Sequence, residues 1–89
     1  GLLQVLEITI GPSLAGETVG HLAQRRDVVV VAHTPVEEPA RHLLAIDSEA
    51  RLQVGDRLVV CGSPARLAPL LSTAQEDERP RWANLALRL

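Results

Sequence analysis

Few residues of this chain have the type and spacing to do chemistry. Its single cysteine, Cys61, and its histidines, His21, His33 and His42, are the soft and imidazole ligands available. A zinc site sets such ligands in close pairs, and these residues match no common spacing of that kind. No metal site is expected. A nucleophilic cysteine needs an accessible, electropositive setting and a base. Cys61 ends the apolar run "RLVVC", so an inert, buried thiol is expected. A phosphate loop needs clustered glycines whose amides face the phosphates. Gly11, Gly16 and Gly20 lack that spacing, and Pro12 has no amide to offer. Ser63 follows Gly62 without the full glycine pattern of a nucleophile elbow. Glu37 and Glu38, and the acidic run at 76–78, read as solvated charge in polar segments. The residues therefore point away from an enzyme and imply no cofactor.

Composition sharpens that exclusion. The chain has 89 residues, which is one domain's length, and a formal net charge of −2. No basic face is evident, and aromatic residues make up 1% of the chain. Nucleic-acid binding by stacking and phosphate contacts is not expected. No window reaches the roughly 18 consecutive apolar residues that a membrane span needs, and no signal-peptide pattern opens the chain. A lone cysteine excludes an internal disulfide. The core is aliphatic and small, so a partner surface would add stability, and an oligomer is expected.

The elements follow from periodicity. Leu6, Ile8 and Ile10 alternate with Glu7 and Thr9, which predicts a half-buried strand. Gly11-Pro12 ends it. Ser13 is placed to cap a helix expected over 15–24, with Val19, Leu22 and Ala23 on one face and Arg25 and Arg26 at its negative end. The β-branched run "VVVVA" at 28–32 lacks polar alternation and is expected to be the central strand, covered on both faces. Residues 42–47, "HLLAID", read as a third strand, and 57–61 as a fourth. Ser63 caps a second helix with Pro64 at its first position. Leu67, Leu70 and Leu71 give it an apolar stripe. Pro69 predicts a short or kinked helix ending near Leu71.

Residues 72–81 read as a polar linker. The tail at 82–89 fits helical and strand spacing equally, and is the possible start of a further segment of a longer parent. The order is strand, helix, strand, strand, strand, helix. The fold class is α+β, a small, mostly antiparallel sheet of about four strands with two short helices, occupying residues 1–71.

The stretch "LQVGDRLVVCG" at 52–62 joins these elements. Gly55 suits a positive φ, and the Asp56 carboxylate can accept from amides across the turn. Taken with Ser13-x-x-Gly16-x-Thr18, the valine strand, Asp47 and Leu52-x-x-Gly55-Asp56-x-Leu58-x-Val60-x-Gly62, it resembles the TrkA-C domain. This is the C-terminal domain of RCK regulators of potassium conductance. The likeness spans about residues 6–71, and the structural turn and cap positions are Ser13, Gly16, Gly55, Asp56, Gly62 and Ser63.

The resemblance implies a homodimerising regulatory unit of a potassium channel or transporter. It implies a place at the cytoplasmic face of the membrane, attached to a membrane portion of the parent. It also implies sensing of a ligand, sometimes a cyclic dinucleotide, without catalysis. For an anionic ligand of that kind, Arg25 and Arg26 are the candidate contacts, with His33 as a pH-sensitive one. The alternative is a purely structural dimerisation module without a small ligand. The chain departs from the family pattern in having His33-Thr34-Pro35 where an Arg is common, Ile46 before Asp47, and apolar Val28 and Val29 early in the second strand.

Overall fold

Residues 2–38 and 46–78 are described by the structure, a computed structural model. Alternation of Leu6 and Ile8 with polar neighbours builds β1 (Gln4–Thr9). It is followed by α1 (Val19–Arg26), β2 (Val29–Thr34), β3 (Arg57–Gly62) and α2 (Pro64–Glu78). The sheet is antiparallel throughout, in the order β1-β3-β2. Three strands are thus seen among the described residues. The further strand expected at 42–47 lies mostly outside them, and its last residues, Ile46 and Asp47, are not in a strand.

The central strand is β3, which corrects the expectation for 28–32. β3 pairs with β1 from Gln4↔Gly62 to Thr9↔Arg57, and with β2 from Val29↔Cys61 to Thr34↔Arg57. A run of valines says that a strand is apolar on both faces but not how many neighbours it has. β2 is an edge with an irregular register between Val30 and Ala32, and its Val29 is 65% exposed.

The first helix starts later than expected. Ser13 does not cap it. Thr18 does, in an extended conformation, and its hydroxyl accepts from His21 N–H at 3.1 Å. Residues 12–16 instead form turns stitched by Leu14 and Ala15 amides to the Gly11 carbonyl. Asp27 closes α1 in the left-handed region at φ 54°, which short polar residues tolerate. Ser63 caps α2 weakly, accepting from Arg66 N–H at 3.4 Å. The helix does not stop at Leu71. It runs through Pro69 to Glu78, so residues 72–78 are helix rather than linker. Pro69 faces solvent, where the carbonyl it leaves unpaired can reach water. Residues 79–81 and the tail at 82–89 lie outside the described residues.

One cluster forms the core. Ile8, Leu58 and Val60 come from the sheet, Val19 and Leu22 from α1, and Leu67, Leu70 and Ala74 from α2. Helix α2 packs on β1 and β3, and α1 packs on β2. No helix among the described residues is long and apolar enough to cross a membrane.

Candidate functional site

Three places gather the polar and reactive side chains. The first is the turn before β3. Gly55 takes φ 96°, and a methyl there would come within 2.7 Å of Val36 Cγ2, so two constraints select glycine. Asp56 is 2% exposed. Its Oδ2 accepts from Gln53 N–H at 3.1 Å and lies 2.8 Å from His33 Nε2, while Oδ1 accepts from Val36 N–H at 2.8 Å. The carboxylate thus ties its own turn to the end of β2 and to the segment beyond it. His33 is 4% exposed and is held inside this knot, away from any solvent-borne ligand.

The second place surrounds Glu17, ahead of α1. Arg25 grips it with two bonds, Nη2 to Oε1 at 2.7 Å and Nε to Oε2 at 3.2 Å. His21 Nδ1 sits 2.9 Å from Oε2. Partial burial pushes the Glu17 carboxyl up, but the hydrogen bonds and charges of Arg25 and His21 outweigh it and hold it below the usual carboxylate range. The bond to Glu17 raises the Arg25 guanidinium in turn. Arg51 Nη1 donates to the Gly16 carbonyl at 2.6 Å beside the same turn, where Gly16 also takes φ 96°.

The third place is the sheet face turned away from the helices. Alternation along the strands puts Val5, Val59, Cys61 and Val29 on it. Leu3, Val5 and Val29 are 72%, 68% and 65% exposed. Its far end opens into a cleft of about 330 Å³, lined among others by Leu3, Val29, Cys61, Ser63, Asp27 and Arg66. Arg66 Nε stands 3.4 Å from Asp27 Oδ2 across it. Cys61 is half-buried here, not sealed in the core as expected, because among the described residues neither helix packs on its side of β3.

These positions revise the residues singled out by sequence. Arg25, Arg26 and His33 do not share one site. Arg25 is bound to Glu17, His33 is internal, and Arg26 keeps a buried Nε without a partner. Gly16 and Gly55 take positive φ, Asp56 accepts from the Gln53 amide across its turn, Gly62 ends β3 opposite Gln4, and Ser63 caps α2. Ser13 binds the far end of α2. Arg66 and Asp27 were not signalled by any motif, because only the pairing of β2 with β3, Val29 opposite Cys61, brings the residue ahead of β2 beside the first turn of α2. No group of three or more His, Cys, Asp or Glu side chains is gathered for a metal among the described residues.

Comparison with known proteins places this architecture. The family model of the TrkA-C domain matches residues 3–73. The chain belongs to the TrkA-C family. Solved structures agree with this TrkA-C fold. The RCK C domain of the potassium transport protein KtrA, in complex with cyclic diadenosine monophosphate, superposes with a TM-score of 0.67 at 15% identity, over 80% of this chain and 82% of that one. The GsuK RCK domain gives 0.64 at 22% identity, over 83% of this chain and 16% of that chain. The GsuK channel bound to NAD gives 0.61 at 22% identity, over 84% and 13%. This TrkA-C domain thus corresponds to a small part of the GsuK chains. None of the curated proteins matches it in sequence.

Proposed function

We propose that this TrkA-C domain is a dimerising ligand sensor of a potassium channel or transporter, working at the cytoplasmic face of the membrane and without catalysis. Family membership supports the setting. The observation that carries the reading is the exposed apolar sheet face ending in a cleft lined both by apolar Leu3 and Val29 and by polar Arg66, Asp27 and Ser63. Such a face suits a second copy, and such a cleft at its rim suits an anionic ligand with a flat apolar part, of the cyclic dinucleotide or dinucleotide class. Arg66 is the best-placed cation, and Arg25 and Arg26 lie on the last turn of α1 just before Asp27. A ligand that prefers one dimer geometry shifts the population toward it, and the membrane portion follows.

Thermal unfolding with cyclic diadenosine monophosphate and with NAD tests this. At one hundred times its Kd a ligand adds about 2.7 kcal/mol, worth roughly 10 °C or more in a domain of this size. The shift is expected with one of these anions and is expected to shrink in an Arg66→Ala variant and in the Arg25→Ala/Arg26→Ala pair. Absence of any shift would favour a second reading, a structural dimerisation module. That reading draws on the engagement of Arg25 by Glu17 and of His33 by Asp56.

A further inference from the structure

The end of α2 is fastened to a distant corner of the fold. Asp77 sits on the last turn, and both of its oxygens are used. Oδ1 accepts from the Ser13 hydroxyl at 2.6 Å and Oδ2 from the Ser13 N–H at 3.1 Å. The two residues are 64 positions apart. The backbone comes so close that a methyl on Gly11 would collide with the Asp77 side chain.

Backbone hydrogen bonds tie the corner together. Gly11 carbonyl accepts from the Leu14 and Ala15 amides, and Gly16 N–H donates to the Leu52 carbonyl at 2.9 Å. One residue back, Ile10 exchanges bonds with the Asp56 turn, its N–H donating to Asp56 O at 2.7 Å and its carbonyl accepting from Gly55 N–H at 2.8 Å. Glu17, the anchor of Arg25, lies just beyond on the other side. The contact is exposed, whereas the preceding buried residues of α2, Leu70 and Ala74, hold the helix to the core. It can therefore open without unfolding the domain.

We propose that Asp77 is a release latch: it couples the last turn of α2, from which residues 79–89 continue, to the corner that carries the entry to α1 and the Asp56 turn. Closed, it fixes the last turn of α2 against the corner. Open, it frees that turn and loosens the corner together. The latch goes beyond the ligand-sensing reading and holds whatever the cleft binds.

Amide hydrogen exchange on the whole 89-residue chain tests it. Ser13→Ala removes one bond on the corner side. It is expected to speed exchange at 75–78, on the far side of the contact, by about 3- to 10-fold. Asp77→Ala is expected to do the same at 13–16. Gly11→Ala removes no polar group and is expected to produce both effects by pushing Asp77 away. The Ser13→Ala/Asp77→Ala pair should exceed Asp77→Ala by little, since both break one contact. The latch is overturned if Ser13→Ala and Gly11→Ala leave 75–78 unchanged, for Asp77 would then matter only within its own helix.

Discussion

Asp56 does the most among single residues. Its carboxylate serves three donors, two of them backbone amides and one a buried imidazole. Asp56→Ala leaves them unpaired in the interior, and a loss of about 3 kcal/mol or more is expected, read from urea unfolding. The neighbouring glycines separate two effects. Gly16 and Gly55 share φ 96°, but a methyl at Gly16 meets nothing within 4 Å, whereas at Gly55 it strikes Val36. Gly16→Ala should lose about 1 kcal/mol from backbone strain alone, and Gly55→Ala clearly more. Glu17 supplies a pH dependence. Its folded carboxyl is held below its ordinary value of 4.5, so the stability it contributes is present above that pH and is lost as pH falls through the folded value. Glu17→Gln should flatten the stability profile in that acid window, as chemical unfolding at several pH values would show. The roles of Gly55 and Asp56 were legible in sequence because a turn is local. The position of His33 was not, because its partner lies 23 residues away and only strand pairing brings them together.

At the scale of elements, periodicity located β1, β3 and both helices but misjudged two helix boundaries and one strand's rank. Thr18 outcompeted Ser13 as a cap because the core-facing Val19 and Leu22 begin directly after it, while 12–16 are bound into turns. The apolar stripe of α2 does continue past Leu71 in the sequence. Ala74 falls seven residues after Leu67 and is buried, and helix-forming Gln75 and Glu76 follow. Pro69 outweighed that signal on paper, yet an exposed proline in a helix anchored by Leu67, Leu70 and Ala74 is tolerated. Its penalty remains measurable. Pro69→Ala restores a backbone donor and removes a clash, so the thermal midpoint should rise, by about 1–3 kcal/mol in equivalent stability. An unchanged or lower midpoint would mean that Pro69 helps to seat α2 on β1 and β3.

For the whole molecule the decisive feature is what the helices leave uncovered. Both pack on one side of the sheet, so Val5, Val29, Val59 and Cys61 face outward from the other. The patch is of the order of 300–400 Å² per copy, at the size where exposed apolar surface is commonly functional. A pair would bury roughly 700 Å², short of the about 1,200 Å² at which stable specific interfaces begin and far below the about 2,000 Å² or more of permanent ones. Glu7 and Arg57 add charges of both signs on the same face, 3.9 Å apart, which suits a two-fold arrangement in which each meets its opposite. The expectation is a weak, reversible dimer that a ligand at the rim can tighten. Sedimentation over a wide range of concentrations should show the average mass rising toward twice that of one chain. Val29→Glu should hold the protein as a monomer while its unfolding midpoint at high dilution stays within about 0.5 kcal/mol of the parent, since Val29 is 65% exposed in the single chain. Cys61 gives an independent reading. Its alkylation should slow as the parent is concentrated and stay constant in Val29→Glu. If Val29→Glu associates as the parent does and Cys61 stays reactive throughout, the seam lies elsewhere. The apolar groove of about 500 Å³ between β1 and α2, lined by Val5, Leu6, Leu67 and Leu71, would then be the next surface to vary.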